Sequence, residues 1–369
     1  MSFRDPKASQ LSNRAAPMGT ATATWSNIQY DKAFVIDGMA GWTDADRPLP
    51  PGRLPAPLYQ AIVESGATAF HLTVGGLGPE RFDIAVKEIG LYDQIIQANS
   101  DVLIKANSAD DIRRAKAQRK AALVYGFQDS GMIGANLERI DVFAALGVRV
   151  MQPTYNIRTL WADGALEEAN GGLSRLGREA IKRIETARVL LDMSHGGHRT
   201  IAEALELAER PSIISHTGCR ALFDHPRNID DDAMRLLANK GGVVGIYWTP
   251  FLHSQGDATP EAVLRHMAHA VNVCGEDHVS VGTDGELTRR VFTPEEMAKD
   301  QREHEIRVRL GIAAPGERVG LLVTVPEWNS PNRFRLLAEA LDTAGWPASR
   351  IEKVLGANLL RLFEDVWSE

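Results

Sequence analysis

Short, continuously apolar runs recur along the chain, at 33–37, 67–74, 121–127, 148–154, 189–193, 212–215, 242–248 and 279–282. Most are followed by a loop and then by a stretch with helical spacing of its apolar positions, as at 136–146, 175–186, 200–208, 231–239 and 260–273. Runs that are apolar throughout, rather than alternating, predict parallel strands covered on both faces. Gly66, Gly147 and Gly241 stand where a helical pattern gives way to the next strand, the place where a left-handed helix end wants glycine. Eight such units predict an α/β fold, a (β/α)8 TIM-type barrel, because closing the sheet removes the edges an open sheet would expose. A doubly wound open sheet is the alternative. Two further helices, 331–344 and 348–364, are expected outside the barrel or across its bottom. Residues 1–30 form an N-terminal arm, and 31–369 a single domain.

Composition narrows the class. Apolar residues make up 44% and charged residues 24% of the 369, ordinary values for a globular protein. The net charge of −7 argues against a nucleic-acid surface. No run reaches the ~18 apolar residues of a membrane span, and 1–25 has no hydrophobic stretch of the signal-peptide kind. Cys219 and Cys274 have no disulfide or zinc spacing, so a reducing, cytoplasmic setting is expected.

A barrel places its chemistry where the strands end, because the βα loops converge there. The positions so placed are 37–42, Gln128 and Asp129, Tyr155 and Asn156, then His195, His216, Trp248 and Asp284. Two histidines and an aspartate from separate strands thus share one mouth, a donor set that suits zinc or a similar divalent ion. His71, inside the second strand, either reaches the mouth or fills the core. His198 opens the next helix, and His266 and His269 share a helix face outside the barrel, so these three are expected to be structural. No nucleophile elbow appears for a serine hydrolase. Arg227, in the loop after the sixth strand, is suited either to a substrate carboxylate or to a structural ion pair.

Several stretches together resemble the membrane (renal) dipeptidase family of zinc metallopeptidases. They are Gly171-Gly-Leu-Ser-Arg-Leu-Gly-Arg-Glu179, Leu191-Asp-Met-Ser-His195, Ser215-His216, Asp224-His-Pro-Arg-Asn228, Gly241-Gly-Val-Val-Gly245, Asp277-His-Val-Ser-Val-Gly-Thr-Asp284 and Val354-Leu-Gly-Ala-Asn358. The resemblance runs from about 33 to 366 and implies an amidohydrolase-type barrel, two zinc ions, dipeptide substrates and a homodimer. It implies that His195 and His216 hold the second metal, that Asp284 is the aspartate after the last strand, and that Arg227 holds the substrate carboxylate.

The departures from that pattern are specific. Where the family has a His-x-Asp after strand one, this chain has Asp37-Gly-Met39-Ala-Gly41. The bridging glutamate falls on Gln128, and a substrate-contacting histidine falls on Tyr155. Losing two carboxylates and one zinc leaves the net charge of the mouth unchanged. The expectation is therefore one metal, held by His195 and His216 and completed by Asp284 or Gln128, with a water at the open position. Asp284 would move protons and Tyr155 would hydrogen-bond the oxyanion. Two other readings stand beside this hydrolase. One is an enzyme of a non-peptide amine or betaine-like metabolite, with Trp42, Trp161 and Trp248 as an aromatic wall. The other is a catalytically silent binding protein. The segment 286–326 reads as a charged helical insertion, either a lid or a subunit contact.

Overall fold

The computed structural model describes residues 25, 27–42, 49–254 and 256–368. Ten strands run through them: β1 Ile36–Gly41, β2 Ala69–Thr73, β3 Leu103–Lys105, β4 Ala121–Phe127, β5 Val148–Met151, β6 Leu190–Leu191, β7 Ile213–Thr217, β8 Val243–Ile246, β9 Val279–Val281 and β10 Gly285–Glu286. Every strand pair is parallel. The spatial order is β10-β1-β2-β4-β5-β6 in one sheet and β7-β8-β9 in the other. A single parallel bridge, Asp192 to Ile213, links β6 to β7. β1, β2, β4, β5 and β6 pair in chain order, as do β7, β8 and β9, and β10 pairs with β1. That progression has no reversal of the kind a doubly wound sheet requires. The α/β barrel-type fold expected from the apolar runs is what forms.

All eight expected strands are present; the two-residue β10 is an addition, and so is β3. It pairs with the first half of β4 on the side where β5 pairs with the second half. The helices Arg175–Thr186 and Asp231–Asn239 begin after Ser174 and Asp230, whose side chains accept from the Gly177 and Ala233 amides and so satisfy first-turn donors. The helix expected over 348–364 is broken. Ala348–Glu352 and Asn358–Trp367 are separated by a wide turn, Lys353–Ala357, in which Gly356 leaves helical geometry. A Cβ at Gly356 would stand 2.6 Å from the Phe34 carbonyl oxygen, so only glycine lets the turn close on the start of β1.

The Asn358–Trp367 helix seals the barrel floor. Its Leu359, Leu362, Phe363 and Val366 share one apolar cluster with Ile36, Ala69, Ala122, Val150, Leu190, Ile213 and Val243 from the strands. Burial of this kind gives roughly 25 cal/mol per Å2 of apolar surface. Towards the mouth, His71, Gln152, Asp192 and Ser215 form a buried polar group. His71 therefore fills the core. Its Nδ1 lies 2.6 Å from the Gly38 carbonyl oxygen, and it packs where a Cβ at Gly126 would be 2.0 Å from its Nε2.

Of the expected arm, 1–24 lie outside the described residues. Trp25 is buried, its amide bonding Asp342, and Tyr30 in the helix Asn27–Lys32 bonds the Ser65 carbonyl. No helix among the described residues is long and apolar enough to cross a membrane.

Candidate active site

The mouth of the barrel holds a cavity of about 260 Å3, near the small end of ligand pockets, ~300–1,000 Å3. Tyr155, Asn156, His195, Arg227 and Asp284 line one side. Further lining comes from the segment 286–326, in which the helix Pro294–Arg309 and the chain on either side of it contribute Arg290, Asp300, His304, Arg307 and Glu317. The segment thus lines the cavity, in keeping with the first of the two roles expected for it.

His195 follows β6 and His216 lies within β7, so adjacent strand ends deliver both rings to one point. Their Nε2 atoms are 2.9 Å apart. The partners of the other ring nitrogens decide where the protons sit. Asp192 accepts from the hydroxyls of Ser194 and Ser215 at 2.6 Å each, from both their amides at 3.1 Å, and from Gln152 Nε2 at 2.8 Å. Having given its proton to Asp192, the Ser215 hydroxyl can only accept from His216 Nδ1, at 2.7 Å. His195 Nδ1 lies 2.7 Å from Asn156 Oδ1 and donates to it. Both imidazoles therefore carry hydrogen on Nδ1 and present Nε2 lone pairs to each other. Burial, then the Arg227 charge, holds both well below the usual imidazole range, so the rings are neutral.

Two facing lone pairs need a donor or a cation beside them. Gln128 Nε2 stands 3.4 Å from each Nε2, while its Oε1 accepts from Thr73 Oγ1 at 2.9 Å. So oriented, Gln128 offers the histidines N–H groups rather than a ligand oxygen. Arg227 Nη2 lies 3.3 Å from His195 Nε2, and its Nη1 donates to the Ser194 carbonyl. Among the described residues no group of three or more His, Cys, Asp or Glu side chains converges as a metal site. What fits an ion is the imidazole pair, oriented by the outer partners that metal-binding histidines use. Asp284 lines the same cavity. On the strand-one side the donors are missing. Asp37 is committed to the Thr283 amide and hydroxyl at 2.8 and 2.6 Å, and the buried Met39 offers only a thioether.

Asp284 sits between β9 and β10 with φ of 55°, left-handed backbone that aspartate tolerates, its amide tied to the Met39 carbonyl at 2.9 Å. Burial pushes its carboxyl up to about 6, against the pull of Arg227 and Arg307. Tyr155 stacks on His195 and accepts from Arg307 Nη1 at 3.2 Å. Trp42 is not at the cavity. It packs edge-on against Phe70, with centroids 5.6 Å apart. Trp161 and Trp248 are fully buried, the first bonding the Gly134 carbonyl and the second packing on Trp328 and Phe334. The aromatic wall expected under the betaine reading does not form around the cavity. His198 bonds Arg220 and Asp230, His266 bonds the Leu252 carbonyl, and His269 bonds Asp231, all structural as expected. Asn156, Asp192, Ser215 and Arg307 had no role assigned from the sequence. Asn156 alone carried a usable signal, its place at a strand end.

With imidazoles, a carboxylate and an arginine around the mouth of a parallel β/α barrel-type fold, the chain has the site of a hydrolase. The chain belongs to the membrane dipeptidase family, peptidase family M19, whose model matches residues 56–299. It is 30% identical over 347 residues to the dipeptidase tcpJ of Claviceps purpurea, covering 92% of this chain and 73% of that one. Among solved structures it resembles an amidohydrolase from Pseudomonas aeruginosa, with TM-score 0.78, 29% identity, and 93% and 99% of the two chains covered. A metallopeptidase from Rhodobacter sphaeroides, solved with a phosphinate mimic of the dipeptide L-Ala-D-Ala, shares the fold at TM-score 0.71 and 18% identity, over 91% and 99% of the chains.

Proposed function

We propose that the protein hydrolyses a dipeptide or similarly small amide bearing a free carboxylate, with one divalent ion, zinc by its donors, at His195 and His216. The observation that carries this is the meeting of two neutral imidazoles, their Nε2 atoms 2.9 Å apart, beside a cavity lined by His195, Arg227 and Asp284. An ion held by His195 and His216 would supply a water of lowered pKa, towards ~7, and would polarise the scissile carbonyl. The chain's own groups do the rest. Arg227, buried with no carboxylate partner among the described residues, has charge to spend on a substrate carboxylate. Asp284 takes the proton of the attacking water and returns it to the leaving amine. Tyr155, whose oxygen already accepts from Arg307, keeps its proton for the developing oxyanion. The helix Pro294–Arg309 and the loop after it shield these steps from bulk water.

Metal analysis of the dialysed protein beside a His195→Ala variant, with dipeptide turnover measured on both, tests the proposal. One equivalent of zinc and measurable turnover, both lost in the variant, are expected. Two tightly held ions would overturn the single-ion reading, and turnover that survives His195→Ala would overturn the site.

A further inference from the structure

The two imidazoles owe their orientation to different parts of the molecule. His216 is set from within the barrel, through Ser215 and Asp192. His195 is set from outside it. The Asn156 amide, buried just beyond β5, lies between His195 Nδ1 and the carbonyl oxygen of Ile312, with Nδ2 to that oxygen 2.7 Å. A carbonyl can only accept, so the NH2 of Asn156 must face Ile312 and its Oδ1 must face His195. An amide oxygen cannot donate, so the hydrogen on His195 has to sit on Nδ1. The stacked Tyr155 ring, 4.0 Å away, holds the plane of the imidazole but is indifferent to which nitrogen is protonated.

Ile312 belongs to the segment over the mouth, and one ion pair builds its position. Arg307 meets Glu317 through two bonds of 2.7 Å, Glu317 Oε1 accepts from the Ala314 amide at 2.9 Å, and the Ile312 amide bonds the Arg307 carbonyl at 3.0 Å. This small frame aims the Ile312 carbonyl at Asn156.

We infer that Asn156 is a positioning residue through which the segment over the mouth fixes the tautomer of His195, so that the His195–His216 donor pair is complete only while that segment is seated. The inference deepens the reading of His195 as a metal donor and rests on it for its functional meaning. The tautomer itself can be measured without any metal.

The experiment is the long-range 1H–15N ring spectrum of the metal-free full-length chain, with His195 assigned from a His195→Gln sample, followed by titration with zinc alone. Wild type is expected to show His195 and His216 both protonated on Nδ1. Asn156→Asp, whose carboxylate still accepts from Nδ1, keeps that state. Asn156→Leu shifts His195, but not His216, towards a mixture and weakens zinc binding by about 10–100-fold, the usual effect of losing an outer partner. Glu317→Leu leaves Asn156 in place but loosens the frame, and it moves His195 in the same direction. An Nε2-protonated His195 in wild type overturns the inference, as does a tautomer unmoved by both Asn156→Leu and Glu317→Leu. A shift in Asn156→Leu alone overturns the link to the covering segment. If wild type takes up no zinc while its tautomers behave as described, the proposed hydrolase chemistry fails and the positioning role stands.

Discussion

The phenol ring of Tyr155 lies nearly face to face with the imidazole of His195, centroids 4.0 Å apart and planes 28° from parallel, while its hydroxyl oxygen takes a hydrogen bond from Arg307 at 3.2 Å. One side chain thus touches a proposed metal donor with its face and the covering segment with its tip. Tyr155→Phe keeps the stack and removes the hydroxyl, which is both the proton aimed at the oxyanion and the acceptor for Arg307. It should lower kcat by about 10²–10³ with little change in KM, as loss of a single oxyanion donor does elsewhere. Steady-state kinetics on a dipeptide decide this. A change confined to KM would mean that Tyr155 serves binding alone.

Arg227 should act on a different parameter. Arg227→Met removes the guanidinium and preserves much of its bulk. KM for a substrate with a free carboxylate should rise by about 10²-fold, within the range for breaking a buried charged contact. The matching C-terminal amide should be handled equally by wild type and variant. Equal losses on both substrates would show that the arginine is needed for the fold of the mouth instead.

Asp37 gives the fold a pH dependence. Burial pushes its carboxyl up to about 7, more than the hydrogen bonds from Thr283 and Met39 and the charge of Arg333 pull it down. A carboxyl raised in the folded state stabilises fully below its unfolded value, and that contribution fades as pH rises through the folded one. Asp37 therefore contributes stability at pH 4 that is gone above pH 7, on the order of 4 kcal/mol at most. Asp284, raised to about 6, adds in the same direction. Buried imidazoles such as His195 and His216, held below their usual range, pull the other way. The Asp37 part is therefore read as the difference between wild type and Asp37→Asn in denaturant melts from pH 4 to 8. The stability of wild type relative to the variant should fall as pH rises. A difference that stays constant or grows across the window would contradict the buried carboxyl.

Gly126 and His71 should behave as one unit. Gly126→Ala drives a methyl into His71 Nε2, and the ring cannot retreat while Nδ1 is held by the Gly38 carbonyl. A loss of about 1–3 kcal/mol is expected from such overpacking. In the His71→Ala background the same change should cost much less, so a double-mutant cycle should report strong coupling. Additive losses would place the damage elsewhere.

How much of this was legible beforehand differed from element to element. The eight apolar runs marked all eight expected strands, because strands covered on both faces leave no polar alternation to confuse with a helix. β3 escaped because Leu103–Lys105 is three residues long and lies in a stretch with helical patterns on either side. His195, His216 and Asp284 were readable from their places at strand ends and Arg227 from the loop after one; His195, Arg227 and Asp284 line the cavity, and His216 meets His195 beside it. Trp42 was misplaced because an aromatic beside a mouth residue and an aromatic of the core look the same in one dimension. The helix Pro294–Arg309 carried no usable period: one side lines a charged cavity and Lys299 is its only buried residue, so neither side needed an apolar stripe. Arg307 and the Ile312 carbonyl could not be found by pattern at all, since a backbone oxygen has no letter of its own.

The stopper that Leu359, Leu362 and Phe363 form at the base of the cylinder has a kinetic corollary. With the rear closed by packed hydrocarbon, whatever enters and whatever departs must use a single doorway. Two fragments cut from one molecule would then leave in turn, the outer before the inner, and each cycle would wait for the doorway to swing. The tempo of turnover would then depend on the bonds that seat the segment on the barrel, Arg307 to Tyr155 and Asn156 to the Ile312 carbonyl, as much as on the scissile bond.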